Sequence, residues 1–163
     1  MKVRSTVFLR GAAVLAAAAL LAGCSDDDNP MSASQTLYEK YGGAPTIRTV
    51  VDNAVTALVS DPVTAPFFAG TLATPGRPDR LKSCLRLQFT AVFGGPATYP
   101  GRNDQGDMCA DMTTAHRGLN ISGAVFDRFI MDVAMVLRSA GVSEADVNAV
   151  APTLVGLRPQ IVS

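Results

Sequence analysis

The chain is expected to fold as an all-α domain. Apolar residues recur at helical spacing in four stretches, and each stretch ends at a Gly or Pro signal. No segment alternates with period two for long enough to build a sheet.

Ile47, Val50, Val51, Ala54, Val55, Leu58 and Val59 fall on one face of a helix. Asp61-Pro62 ends it, because the residue before a proline is pushed out of the helical region. Leu81, Cys84, Leu85, Phe89, Val92 and Phe93 repeat the pattern, and Gly94-Gly95-Pro96 stops that helix. A short helix is expected from Asp111 to Arg117. Ser122 caps the third long helix, which carries Phe126, Phe129, Ile130, Val133 and Leu137 and closes at Gly141. Ser143 begins the fourth, with Asp146 three residues on as a partial capping box. Val147, Val150, Ala151 and Leu154 form its face, and Pro152 inside it is a candidate kink. Thr71 to Pro78 and Ala97 to Gly106 are rich in Gly and Pro and read as surface loops.

At 163 residues there is room for one domain and a short extension. The extension is N-terminal. Lys2, Arg4 and Arg10 lead into an uncharged apolar run from Gly11 to Gly23, the pattern of an export signal. That run is 13 residues long, whereas spanning a bilayer takes roughly 20. Its exit, Leu21-Ala22-Gly23-Cys24, resembles a bacterial lipobox, which implies lipidation of Cys24 and a membrane anchor. Residues 1–23 are therefore read as a lipoprotein signal, 24–34 as a polar tether and 35–163 as the folded domain. The expected location is the bacterial cell envelope, with the outer membrane or periplasmic face favoured because Ser25 follows the cysteine.

The signal holds three of the 14 Lys and Arg and none of the 14 Asp and Glu, so the mature chain is mildly acidic. Without a basic patch, nucleic acid is a poor candidate partner. With Cys24 assigned to lipid, Cys84 and Cys109 remain, and an even pair in an oxidising compartment suggests a disulfide.

Catalytic constellations are sparse. One histidine excludes a two-histidine zinc motif, and neither Gly-x-Ser-x-Gly nor a phosphate loop occurs. No catalytic residue is assigned. His116 is the residue to weigh. A lone histidine is more often a surface or satisfied core residue than a ligand. Met112 and Leu119, at i−4 and i+3, give its short helix an apolar face bearing one imidazole. An apolar pocket with one nitrogen ligand is what a haem iron needs.

Leu37-Tyr38-Glu39-Lys40-Tyr41-Gly42-Gly43 with Ile47 resembles the opening of group 1 truncated haemoglobins. The likeness continues, in order, through Asp61-Pro62, Ala65-Pro66-Phe67-Phe68, Arg80-Leu81-Lys82, Phe89 with Gly94-Gly95-Pro96-Ala97-Thr98-Tyr99, and Ala115-His116-Arg117-Gly118-Leu119. It ends with Phe126 and Ala140-Gly141-Val142. The resemblance covers nearly all of 35–163. It implies a shortened globin, two helices stacked on two around haem b. It makes His116 the proximal iron ligand and packs Phe68 on the haem. Leu81, Leu85 and Phe89 would line the distal side, and Phe129 and Val133 would lie near the haem from the next helix. Two departures stand out. The family's distal tyrosine falls at Val55 and its distal glutamine at Leu85, so aliphatics replace two hydrogen-bond donors. The segments Pro100 to Ala110 and Thr71 to Asp79 are also longer than usual.

The implied function is binding of a diatomic gas, O2, NO or CO, with a reductase as a further partner. Nitric oxide dioxygenation and a haem-free interaction module with a globin fold are the competing classes.

Overall fold

The computed structural model describes residues 35–163; the expected signal, the tether and Cys24 lie outside the described residues. The described residues form eight α-helical segments: α1 Leu37–Lys40, α2 Ala44–Ser60, α3 Ala69–Leu72, α4 Arg77–Val92, α5 Met112–His116, α6 Gly123–Ser139, α7 Glu144–Val155 and α8 Arg158–Ile161. A 3-10 turn, Ala65–Phe68, precedes α3. Among the described residues no extended strand occurs, only two isolated bridges. The all-α expectation holds.

Local chemistry sets the ends. Thr36 Oγ1 accepts from Glu39 N while the Glu39 carboxylate accepts from Thr36 N, a complete capping box on α1. Asp111 accepts from Thr114 N to start α5, and Ser122 accepts from Val125 N to start α6. Pro45 and Pro78 stand in the first turns of α2 and α4, where a missing N–H costs nothing. For that reason the loop expected over Thr71 to Pro78 shrinks: α3 takes its first two residues and α4 its last two. The turn after α4 depends on two glycines. Gly94 has a φ of +77°, and a Cβ on Gly95 would stand 2.7 Å from the Tyr38 ring. Pro152 sits inside α7 without ending it.

At the start of α7, Ser143 Oγ accepts from Asp146 N, but the reciprocal bond of a capping box is absent. Ser143 N donates instead to Tyr41 Oη, and the Asp146 carboxylate takes Lys40 and the Tyr41 and Ser143 hydroxyls. These three bonds, Lys40 first, hold the Asp146 carboxyl well below the usual carboxylate range. The half-made box serves to tie α1 to α7.

The four long helices supply the core. α2 packs on α4 and α6, and α6 packs on α7. Val51, Val133 and Leu137 are at most 1% exposed at the centre of the shared cluster. α5 contributes little to it and packs mainly against α8.

Candidate haem site

Beside this core lies a cavity of about 570 Å3, within the range typical of cofactor sites. One wall is α4, whose positions 77, 80, 81, 84, 85 and 88 share a face. The facing wall is α5 with the residues flanking it. Phe67 and Phe68 close one side, and Phe126 and Phe129 of α6 another. Leu157 and Ile161, from the C-terminal turn, also line it.

His116 lies at the end of α5 and lines the cavity. Its Nδ1 is 2.8 Å from the carbonyl oxygen of Met112, one helical turn back. A carbonyl can only accept, so the ring proton sits on Nδ1. The Nε2 lone pair is then free to ligate a metal. Leu119 also lines the cavity, but from beyond the helix, because α5 stops at His116.

Among the described residues no group of three or more His, Cys, Asp or Glu could hold a metal ion. An iron ligated by His116 would take its other ligands from a cofactor. The donor set fits haem: one imidazole, apolar walls, and two cations, Arg77 and Arg80, for the carboxylates of a porphyrin. Neither arginine forms an ion pair among the described residues, and Arg80 Nη2 donates to Met108 O at 2.8 Å.

Phe68, Leu81, Leu85, Phe89, His116 and Phe129 all line this cavity. Val55 and Val133 do not; they are 5% and 1% exposed in the core next to it. Thr90 does not line it either. Polar side chains at the cavity are mostly committed. The Thr64 hydroxyl donates to Leu58 O at 2.6 Å, and Tyr99 Oη donates to Ala110 O at 2.7 Å. Thr71, Arg77 and Gln88 are the exceptions, and of these Gln88 is the buried one. It is 7% exposed, and its amide Nε2 faces only the Met112 thioether, a weak acceptor, at 3.7 Å.

Arg77, Leu157 and Ile161 escaped the sequence reading, and Arg80 and Tyr99 entered it only through the family likeness, with no role at the site. For the two arginines a signal existed, since they precede Leu81, Cys84, Leu85 and Gln88 on the same helical face. For Leu157 and Ile161 none did, because a single turn carries no periodicity.

Cys84 and Cys109 form a disulfide across 25 residues. Cys84 lines the cavity and Cys109 is 2% exposed.

The bacterial-like globin family model matches residues 36–162. The chain is 30% identical to a group 1 truncated haemoglobin of Tetrahymena pyriformis over 124 residues, covering 76% of this chain and 92% of that protein. It is also 30% identical to a group 1 truncated haemoglobin of a Nostoc species over 128 residues, covering 78% and 98%. The crystal structure of the Tetrahymena pyriformis protein in its Fe(III) form superposes with a TM-score of 0.66 at 27% identity, covering 79% of this chain and 99% of that one.

Proposed function

Because this chain belongs to the bacterial-like globin family and is a truncated globin in fold, we propose that it is a haem b protein that binds a diatomic gas, O2, NO or CO, at the cell envelope. The observation that carries the reading is His116. Its proton is held on Nδ1 by Met112 O, and its free Nε2 lies at an apolar cavity of cofactor size.

Bound haem would supply the iron at which the gas sits. The chain does the rest. His116 Nε2 is the proximal ligand, fixed in rotation by its Nδ1 bond. Arg77 and Arg80 balance the charge of the propionates. Phe68, Phe89, Phe126 and Phe129 exclude water from the ring. Leu81 and Leu85 on α4's wall, with Val55 in the core, are aliphatic, so none of the three offers the gas an N–H or O–H. Lipid on Cys24 would hold the domain at the membrane, and a reductase would keep the iron ferrous.

Nitric oxide dioxygenation is the second reading, and the Gln88 amide favours it. It is buried at the cavity and its one partner is a thioether, a weak acceptor, so little holds it from turning toward a ligand. An absorption spectrum of the protein supplied with haem tests the main reading. A histidine-ligated ferrous form that shifts on adding CO supports it. Failure to take up haem overturns it and leaves the interaction-module class.

A further inference from the structure

We infer that the Cys84–Cys109 disulfide holds the two walls of the cavity together independently of haem, so that haem enters a preassembled site and leaves it slowly. This rests on the haem reading above for its ligand, and on the covalent geometry for its mechanism.

The proximal wall is weakly built on its own. α5 has five residues, far fewer than an isolated helix needs for stability. Its main helical neighbour is α8, itself four residues long. Between α4 and α5 no helix intervenes. In a globin whose proximal segment is so short, the iron–histidine bond would be the principal tie between the helix bearing the histidine and the rest of the site. Here a second tie exists. Cys109 stands two residues before Asp111, the cap of α5, and seven before His116. Its bond to Cys84 anchors that lead directly to the cavity face of α4.

Polar bonds along the same segment point the same way. Arg80 holds Met108 O, the Ser83 hydroxyl and Arg86 both reach Asp104, and Asn103 Nδ2 lies 3.8 Å from Cys84 Sγ. All of these partners lie on α4. The extra length of the loop, which the family resemblance marks as unusual, is the part that carries these anchors. Ordering α5 is then a cost met at folding and not at haem binding, which favours capture and slows release.

The tie depends on its oxidation state. A dithiol reductant would transfer two electrons to the bridge and become a disulfide itself. Cys84 Sγ and Cys109 Sγ would each take up a proton, and the walls would separate as far as the polar bonds allow.

Two measurements test this. The first is hydrogen exchange on the haem-free full chain with its disulfide intact. The Ala115 amide, bonded to Asp111 O at 2.8 Å in α5, should exchange at least a hundredfold more slowly than in an open chain. Open-chain exchange at Ala115 in this oxidised form would overturn the inference, and no variant is needed to see it. The second is ferric haem loss to an excess of a haem-scavenging apoglobin. Cys84→Ala/Cys109→Ala should lose haem at least tenfold faster than the parent. Val147→Ala, which weakens the core away from the cavity, should stay within twofold. Equal loss from the double variant and the parent would overturn the inference. A chain that binds no haem sinks the haem reading instead, while the exchange measurement still reads the clasp.

Discussion

His116 Nδ1 and the carbonyl oxygen of Met112 stand 2.8 Å apart across one turn of α5, which fixes both the tautomer and the rotation of the ring. The imidazole is thus oriented by backbone and not by a second titratable side chain.

His116→Ala is expected to remove the iron–histidine stretching band from the ferrous protein or to abolish haem binding. No other imidazole in the chain can take its place. Added free imidazole should restore a histidine-like spectrum in the variant. Retention of the band without added imidazole would refute the assignment. In the parent, the ferrous iron should be five-coordinate. Lys82 is paired with Asp52 at 3.2 Å, Met131 is 54% exposed, and neither lines the cavity.

Ligand release should reflect the aliphatic distal wall. Bound O2 carries partial negative charge on its outer atom and CO carries much less. A charge-assisted donor stabilises the oxy form by roughly 1.5–3 kcal/mol, about tenfold or more in the off-rate. Stopped-flow O2 release from the parent should be fast. Leu85→Gln should slow it while CO release changes little, whereas Val55→Tyr, in the core and not on the cavity surface, should cost stability without acting on the ligand. If Gln88→Leu speeds O2 release tenfold, its amide already serves as the donor and the apolar-wall reading fails.

Two acids on the Arg128 network should bias stability in opposite directions. Burial, more than Asp61, pushes the Asp132 carboxyl up despite Arg128, and its Oδ2 has no partner. For Asp61, desolvation acts upward but is outweighed by the Val63 amide, Arg128 and the Thr64 amide, so its carboxyl lies low. A raised carboxyl contributes stability that is present below its unfolded value near 3.8 and lost as pH rises through the folded value. A lowered one contributes stability present above 3.8 and lost as pH falls through the folded value. Asp132→Asn should therefore leave stability at pH 7 unchanged or raised, and Asp61→Asn should lower it. Urea unfolding between pH 3 and pH 7 checks both. A loss of stability at pH 7 in Asp132→Asn larger than that in Asp61→Asn would reverse the assignment.

Cys24→Ser should release the protein from membranes or leave it uncleaved. Membrane fractionation of the mature-sized variant, undiminished, would rule out the lipid anchor.

Long amphipathic elements were legible because their periodicity repeats over several turns: Ile47 through Val59 marks α2, and Phe126 through Leu137 marks α6. α3 and α8 were not, since four residues hold one turn and no period. The same limit hid Leu157 and Ile161 from the site. His116 stood out by being alone, but the bond that orients it is made by a carbonyl, which every residue carries, so its geometry had no sequence signature. Val55 illustrates a different gap. Its position on the apolar face was readable. Its seat in the core, not on the cavity surface, depends on how α2 is turned against α4, a packing angle that one helix's pattern does not encode.

A protein with one imidazole carries its own reporter. Every histidine resonance in a magnetic-resonance spectrum of the full chain comes from the residue at the proposed iron site, with no assignment step. Isotope labelling of histidine alone would light up that site and nothing else. The same economy sets a condition on handling. A polyhistidine purification tag would surround the iron with competing nitrogen donors, and a spectrum taken with the tag in place would describe the tag as much as the cavity.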